Sequence, residues 1–440
     1  MILNGSTIIF LKVAKLLSNS FLTSLNKYFI ILIKTSFYGG NFMLISIPQD
    51  VKYIIDTFYN NGYEAFMVGG CIRDSLLNKV PVDYDIATSA PPEVTEKLFK
   101  KTIPTGIEHG TITVLIDKNS YEVTTYRLEG KYSDNRKPDN VVFISNIKED
   151  LARRDFTINA FAYNDREGLL DYFSGNTDLN NKIIRCVGDP DKRFKEDALR
   201  MLRAIRFSSQ LDFNIDEKTY SAIKVNSDSI INISNERIRV ELSKILLSNN
   251  AFSGMLKLLK SNLLEKILPY DLNIENSLDE VNKNLGSRLS YIFLNLDSTL
   301  IEKIMRDLTF DKDTINKVLS LTSSYEIIKS TKSKADCKRL ISKVGINNIF
   351  ELINLYESFN NTSILHITSL IHEILDNNEP LYIKDLSIDG TTLMKELGIK
   401  PGKILGEILN HLLDQVIEEK ISNTYSNLIL AAKNYYNQLI

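Results

Sequence analysis

Two carboxylates close to a glycine–arginine turn are the part of this sequence with the clearest chemical content. Gly69 and Gly70 precede Arg73, and Asp83 and Asp85 follow, the first of them ten residues after the arginine. Adjacent glycines let backbone amides approach a phosphate closely, and an arginine neutralises its charge. If the aspartates lie on a strand, alternation places both carboxylates on one face. Mg²⁺ is usually held by one or two carboxylates plus substrate phosphates, so the segment predicts a nucleotidyl-transfer site.

A third carboxylate, Glu122, lies in a segment with the alternation of a β-strand. The β-branched residues of 111–116 and 121–126 predict two paired strands joined by a turn at 118–120. A carboxylate on a strand flanking the aspartate pair would complete a cluster for two metal ions, which activate a hydroxyl and neutralise a leaving pyrophosphate. The alternative is an outward-facing glutamate on a half-exposed strand.

Two adjacent arginines, Arg153 and Arg154, precede Asp155. Guanidinium groups bind phosphate oxygens in a bidentate manner, so the pair is interpreted as a phosphate or ribose clamp with Asp155 as its orienting carboxylate. A surface ion pair at the start of a helix is the alternative. Asn159 lies in the apolar run that follows and, if buried, needs hydrogen-bond partners.

Residues 195–207 predict a helix that carries an aspartate and several arginines. Asp197 and Arg200 are three positions apart and are therefore neighbours on a helix surface. The Asp197 carboxylate is a hydrogen-bond acceptor and the Arg200 guanidinium is a forked donor. Adenine and cytosine both offer an amine beside a ring acceptor, which matches this arrangement. The pair is therefore interpreted as a protein template that selects ATP and CTP. Arg203 and Arg206 spiral away from Asp197 and are expected to reach triphosphate oxygens or to brace the site. The alternative is a solvated, arginine-rich face.

The elements around these residues predict an α+β fold. Helix and strand signals alternate up to about Tyr172, with a helix from Asp50, a buried strand at 65–68 and a helix opened by Pro91 and Pro92. Beyond that point the strand signals fade, and helices separated by Asn- and Ser-rich turns follow. We therefore expect a domain with a mixed sheet and helices, followed by an all-α region.

Composition narrows the classes of protein. The 440 residues suffice for two or three domains, and the apolar content of 43% and charged content of 25% are ordinary for a globular protein. The net charge of −2 means that an RNA partner would have to meet local basic patches. Three widely separated cysteines and four scattered histidines argue against a zinc site and a disulfide framework, and they favour a cytoplasmic location.

Residues 1–42 differ from the rest of the chain, because they carry four lysines and no acidic residue. Their apolar runs, 8–11 and 29–33, are too short to span a bilayer, and no membrane partner is expected. They lack both a clear signal-peptide cleavage pattern and the arginines of an organellar presequence. We expect a domain to begin at Met43, preceded by an unstructured extension or an over-called start.

Four sequence blocks together resemble the class II tRNA nucleotidyltransferase and bacterial poly(A) polymerase family. The blocks are GGCIRD with DYDIAT, RRDFTINA, VGDPDKRFKEDALRMLRAIRF and SNERI, in the family's order. The resemblance implies a nucleotidyltransferase palm (a mixed β-sheet with helices) followed by an all-α neck, body and tail. The boundaries that we expect are 1–42 for the extension, 43–172 for the palm, 173–265 for the neck and 266–440 for the body and tail.

The resemblance also implies roles for individual residues. Asp83 and Asp85 match the metal ligands, with Glu122 as the third catalytic carboxylate. The positions that match the family's nucleotide-binding residues are Gly70, Arg73, Arg154, Asp197, Arg200, Arg203 and Arg206. The implied cofactor is Mg²⁺, and the implied substrates are CTP and ATP.

The segment 398–403 resembles the tail of the CCA-adding branch of this family. Its glycine- and lysine-bearing turn opens a predicted helix, which suits a phosphate, so Lys400, Gly402 and Lys403 are expected to bind RNA. A capping turn between two helices is the alternative. The segment 129–140 resembles the flexible loop of enzymes that add the final A.

The resemblance therefore implies addition of CCA to the 3′ end of tRNA. The alternatives are a poly(A) polymerase, an enzyme that adds only part of CCA, and a catalytically silent RNA-binding relative. The sequence leaves the oligomeric state open.

Overall fold

The computed structural model describes residues 45–130 and 141–439, so the expected extension at 1–42 and most of the expected loop at 129–140 lie outside the described residues. Helices of the N-terminal part are α1 (Gln49–Asn60), α2 (Gly70–Leu76), α3 (Pro92–Leu98), α4 (Ile147–Ala152) and α5 (Gly175–Asn180). Its strands are β1 (Ala65–Val68), β2 (Asp85–Thr88), β3 (Thr102–Gly106), β4 (Thr111–Ile116), β5 (Asn119–Thr125), β6 (Arg127–Glu129), β7 (Val141–Phe143), β8 (Phe161–Asn164) and β9 (Gly168–Asp171).

The centre of this part is a seven-stranded mixed sheet in the order β3-β4-β5-β2-β1-β8-β9, which confirms the α+β prediction. Strands β2 and β5 are parallel, and the other neighbours are antiparallel. Every residue of β1 is buried, and α1 turns its apolar stripe towards the core. That stripe has the helical spacing seen in the sequence, Val51, Ile54, Ile55 and Phe58.

Two local expectations for the sheet were wrong. Strand β2 begins at Asp85, and Asp83 lies in the segment before it, so the aspartate pair does not share one strand. The hairpin between β4 and β5 turns at Asp117 and Lys118, because Ile116 pairs directly with Asn119. Asp117 adopts a φ of 51°, a left-handed conformation that aspartate tolerates better than most residues.

The C-terminal part is almost entirely helical, as expected. Its first helices are α6 (Pro190–Glu196), α7 (Leu199–Leu211), α8 (Glu217–Asn226), α9 (Asn235–Leu246), α10 (Ala251–Lys260) and α11 (Leu263–Ile267). Then follow α12 (Leu285–Ile292), α13 (Ser298–Asp307), α14 (Lys312–Ser330), α15 (Lys334–Val344), α16 (Ile349–Asn360) and α17 (Leu365–Asp376). One continuous hydrophobic core runs through these helices from Phe156 to Leu381. No helix in the described ranges has the length and apolarity to cross a bilayer.

The last helices are α18 (Gly390–Leu397), α19 (Lys403–Ile417) and α20 (Tyr425–Leu439). They enclose a separate hydrophobic cluster that begins at Leu386. Their junction with α15 includes charged pairs: Lys338 lies 3.3 Å from the Glu419 carboxylate, and Arg339 bonds to Glu418. The last three helices, which we call the tail, therefore have their own core and a partly ionic junction with α15.

Candidate active site

A cleft of about 520 Å³ lies between the sheet and helix α7. We call it the arginine cleft, because its lining contains the guanidinium groups of Arg73, Arg153, Arg154, Arg200, Arg203, Arg206 and Arg237. Three aspartates, Asp85, Asp155 and Asp197, also line it. So many positive charges in one concave site suit a polyanion such as a nucleoside triphosphate.

The glycine turn forms one end of the arginine cleft. Gly69 has a φ of 79°, so the turn needs glycine for its conformation, and a Cβ at this position would lie 2.8 Å from Nη1 of Arg154 and displace that side chain. Gly70 begins α2, and the Arg73 guanidinium lies close to it. Arg73 donates to the Asn159 side-chain oxygen at 2.7 Å and to Asp74 at 2.8 and 2.9 Å. Arg73 and Arg154 are thus brought to the same glycine turn.

The predicted carboxylates meet at the start of β2. Ile86 pairs with Val123 in the parallel register of β2 and β5, so Asp85 and Glu122 lie side by side on one face. Desolvation raises the pKa of Asp85; the Arg154 charge opposes this shift, and the negative charges of Glu122 and Asp83 add to it. All three residues, Asp83, Asp85 and Glu122, are partly open to solvent and rank as exposed. The negative charges of Asp83 and Glu122 therefore repel that of Asp85 at the start of the central strand β2.

The same carboxylates form only a partial cation site. Within residues 45–130 and 141–439 no three acidic, histidine or cysteine side chains converge closely enough to enclose a metal ion. These carboxylates are the ligand type that hard divalent cations prefer, and the charges of Glu122 and Asp83 add to the desolvation that raises the pKa of Asp85. The residues fit a divalent cation whose remaining ligands come from water and substrate phosphates.

The expected orienting role of Asp155 for the neighbouring arginines was wrong. Arg153 and Arg154 are instead paired with the buried Asp150, at 2.9 and 3.5 Å. Asp155 accepts two bonds from Arg203 and one from the Asn159 amide, which answers the expectation that a buried asparagine needs partners. Although burial opposes it, the Arg203 charge lowers the pKa of Asp155 to about 2.

Asp197 and Arg200 both line the arginine cleft. The spacing predicted that they are neighbours on one helix, and this prediction was wrong. Helix α6 ends at Glu196 and α7 begins at Leu199, so Asp197 lies between the two helices, where its backbone is extended. Arg200 donates to the Glu196 carboxylate at 2.7 Å. Asp197 is paired with Arg237 of α9 at 2.9 Å. An acceptor and a donor fork therefore occupy the cleft, each with a partner of opposite charge.

Arg206 is a buried cation in the lining of the arginine cleft. Its Nε lies 2.9 Å from a carboxylate oxygen of Glu241, and both residues are less than a tenth exposed. Burial lowers the pKa of Arg206 to about 10, and the Glu241 charge opposes that shift. The guanidinium groups of Arg73, Arg203 and Arg206 surround the ring of Phe207, with Arg206 only 4.1 Å from the ring centroid.

The C-terminal turn has the predicted geometry. Gly402 precedes the first residue of α19, Lys403, and the turn leaves Lys400, Gly402 and Lys403 exposed. The Lys403 side chain is 90% exposed and only loosely paired with Glu407, at 3.7 Å. The turn thus presents two lysines and a helix start to solvent.

Sequence reasoning assigned no role to Phe207 and Arg237, which line the arginine cleft, or to Glu196 and Glu241, which pair with its arginines. Arg237 and Glu241 carry the stronger local signal, because two ionisable residues four positions apart flank the apolar Ile238 on a helix. Their partners lie 40 and 35 positions earlier in the chain, so the signal cannot name them.

The described fold and site agree with known proteins. Residues 65–185 match the "Poly A polymerase head domain" family, and residues 288–432 match the "tRNA nucleotidyltransferase domain 2" family. A protein of Ligilactobacillus salivarius named CCA-adding enzyme is 39% identical over 408 residues, which are 90% of this chain and 99% of the relative. A Staphylococcus haemolyticus protein of the same name is 36% identical, over 82% of this chain and 91% of the relative.

Solved structures give the same result. The Bacillus stearothermophilus CCA-adding enzyme in complex with CTP is 26% identical, with a TM-score of 0.76, over 89% of this chain and 98% of that chain. The Thermotoga maritima CCA-adding enzyme complexed with tRNA, 21% identical with a TM-score of 0.67, shares the fold over 89% of this chain and 96% of that chain. The cleft is rich in arginine and contains carboxylates, as a nucleotide-binding site requires. Together with the similarity to these relatives, this shows that the chain belongs to the family of CCA-adding enzymes, which are nucleotidyltransferases.

Proposed function

We propose that this protein adds C, C and A in turn to the 3′ end of tRNA, using CTP and ATP and no nucleic-acid template. The observation that carries the proposal is the lining of the arginine cleft. The same cleft contains the carboxylate of Asp85, a hydrogen-bond acceptor at Asp197 and a hydrogen-bond donor at Arg200. The relatives named CCA-adding enzyme support it, as does the likeness to the structure solved with CTP. The three cysteines, all free and buried, suit a reducing cytoplasm.

In this proposal the triphosphate binds along the arginines. Gly70 lets the phosphates approach the backbone, and Arg73 and Arg154, which meet at the glycine turn, contact their oxygens. Arg203 and Arg206 contribute positive charge from α7, with Asp155 and Glu241 as their respective partners. Because these partners fix the guanidinium groups before the substrate arrives, little reorganisation is needed when charge develops on the leaving pyrophosphate.

The carboxylates would hold the family's divalent metal, which we propose to be Mg²⁺. Asp83 and Asp85 are its proposed ligands, and Glu122, beside Asp85 on β5, is the third catalytic carboxylate. When bound, the ion lowers the pKa of the attacking tRNA hydroxyl and offsets the charge of the pyrophosphate. The carboxylates also hold the 3′-hydroxyl near the α-phosphate, which the arginines orient for in-line attack.

The base is selected between α6 and α7. Asp197 accepts from the exocyclic amine that adenine and cytosine share, and Arg200 donates to the ring acceptor beside it. Guanine and uracil present a ring N–H to Arg200, which leaves a buried donor unpaired and penalises these bases. The tail turn at Lys400, Gly402 and Lys403 is the proposed contact for the tRNA backbone, and duplex RNA of this kind is recognised mainly by shape and 2′-hydroxyls.

The test is incorporation on a tRNA that lacks its 3′ CCA. The purified protein is incubated with this tRNA, Mg²⁺ and each nucleotide alone or in combination, beside Asp83→Ala as a control for contaminating activity. We expect two Cs from CTP alone and one further A only when ATP is added. Long A tracts from ATP alone would identify a poly(A) polymerase. Incorporation of C only, or of A only, would identify an enzyme that adds just part of CCA. Binding of tRNA without incorporation would leave the silent RNA-binding alternative.

A further inference from the structure

Helix α9 contacts the arginine cleft at two points from outside the residues assigned to nucleotide binding. Arg237 and Glu241 are four positions apart and so lie on one face of the helix. Nη2 of Arg237 is 2.9 Å from Oδ2 of Asp197, and Oε2 of Glu241 is 2.9 Å from Nε of Arg206. One helix face therefore pairs with two different residues of the proposed nucleotide site.

The first contact orients a side chain that its own backbone does not fix. Asp197 has an extended backbone between two helices, with a φ of −139°. Its Oδ1 accepts from the Leu199 amide at 3.1 Å and from Nη1 of Arg237 at 3.4 Å, and its Oδ2 accepts from Nη2 of Arg237 at 2.9 Å. A carboxylate offers about four lone-pair positions, so these bonds leave room for a base amine while fixing the plane of the group.

The second contact orients a buried cation. The closest approach of the pair joins Nε of Arg206 to Oε2 of Glu241, at 2.9 Å. The Arg206 guanidinium also lies 4.1 Å from the centroid of the Phe207 ring, within the range of a cation–π contact. Glu241 is 4% exposed, so removal of its charge would leave Arg206 buried without its counter-charge.

We propose that Arg237 and Glu241 are positioning residues with separate effects: Arg237 determines which bases are accepted, and Glu241 determines how tightly any triphosphate is bound. The inference rests on the proposed function, because it assigns Asp197 to the base and Arg206 to the phosphates. Loss of the Arg237 pair lets the Asp197 carboxylate rotate, which weakens discrimination. Loss of the Glu241 charge displaces Arg206 without touching the base.

The experiment compares steady-state incorporation of CTP, ATP, UTP and GTP by wild type, Arg237→Gln, Arg237→Lys and Glu241→Gln. For Arg237→Gln we expect the ratio of kcat/KM for CTP over UTP to fall about 10-fold, the size of a lost charged hydrogen bond, with partial recovery in Arg237→Lys. For Glu241→Gln we expect KM to rise about equally for CTP and ATP, with that ratio unchanged. Arg306→Gln, which removes a cation from an exposed pair on α13, is the matched control.

Three outcomes decide the inference. An equal fall of kcat/KM for all four nucleotides in Arg237→Gln would show a structural role only and overturn the assignment to base choice. Unchanged KM values in Glu241→Gln would overturn the second assignment. Circular dichroism and thermal unfolding confirm that each variant is folded, and a wild type that does not add CCA would contradict the proposed function instead of the positioning roles.

Discussion

The carboxylate of Asp155 accepts two hydrogen bonds from the guanidinium of Arg203, at 2.8 Å from Nε and 2.6 Å from Nη2. This pair, in which Oδ2 accepts both bonds, connects the segment after α4 to helix α7, and it lies within the arginine cleft. It therefore joins the sheet domain to the helices that follow while placing a cation beside the proposed triphosphate.

Asp155→Asn should lower the free energy of unfolding by about 2 kcal/mol at pH 7, since the native pKa of about 2 lies well below the ordinary 3.8. A lowered carboxyl pKa contributes stability above pH 4, and this contribution is lost as the pH falls from about 4 to about 2. The difference between wild type and variant should therefore shrink over that range, measured by urea unfolding at several pH values. Asp165→Asn, in an exposed pair with Lys52, is the control and should behave as wild type. An Asp155 variant with wild-type stability at pH 7 would contradict the assignment.

Asp85→Asn should reduce incorporation by roughly 100-fold or more without loss of stability. The pKa of Asp85 is raised in the folded protein, so its ionised form costs stability at neutral pH, and the cost disappears as the pH falls. The neutral amide removes that cost, so the thermal midpoint should stay equal or rise. Asp83→Ala should also lose activity and remain folded. The exposed Glu93→Gln on α3 serves as the control, and an active Asp83 variant would disprove the metal assignment.

Arg200→Ala should relax the choice among the four nucleotides. Arg200 donates to Glu196 and to the backbone carbonyl of Arg153, so its position is fixed by protein contacts before a base arrives. Competition of CTP with UTP and GTP on one tRNA measures the change. Selectivity equal to that of wild type would remove α7 from base recognition.

Gly69→Ala should destabilise the protein by about 1–3 kcal/mol and weaken nucleotide binding at the same time. Its φ of 79° with a ψ of −132° is costly for any residue with a Cβ, and that Cβ would displace the Arg154 guanidinium. Thermal unfolding and KM for CTP are the measurements. Gly62→Ala, at a φ of 82° but in open space, separates the two effects: it should lose stability only.

Lys403→Gln and Lys400→Gln should each weaken tRNA binding and reduce the salt dependence of the affinity by about one phosphate contact. Both side chains are exposed, so neither change should alter the thermal midpoint. Filter binding over a range of KCl concentrations measures the slope, with Lys97→Gln on α3 as the control. A slope unchanged from wild type would leave the tail turn as a capping structure only.

The sequence predicted the fold class and most of the elements near the site, because periodicity reports local structure. It placed Asp197 on a helix because the 197, 200, 203 spacing is helical, but aspartate also competes for backbone amides, and here its side chain accepts from Leu199 and interrupts the helix. The pairing of Asp155 with Arg203 joins residues 48 positions apart. Such partners depend on the tertiary fold, which spacing along the chain does not contain.

The separate hydrophobic cluster of the tail has an evolutionary consequence. A segment that buries its own apolar residues can be inherited, lost or exchanged by recombination without disturbing the packing of its neighbour. For this chain the requirement at the junction would be to keep acidic residues opposite Lys338 and Arg339. The helices from α6 to α17 share a single core and have no such freedom, so we expect them to diverge together.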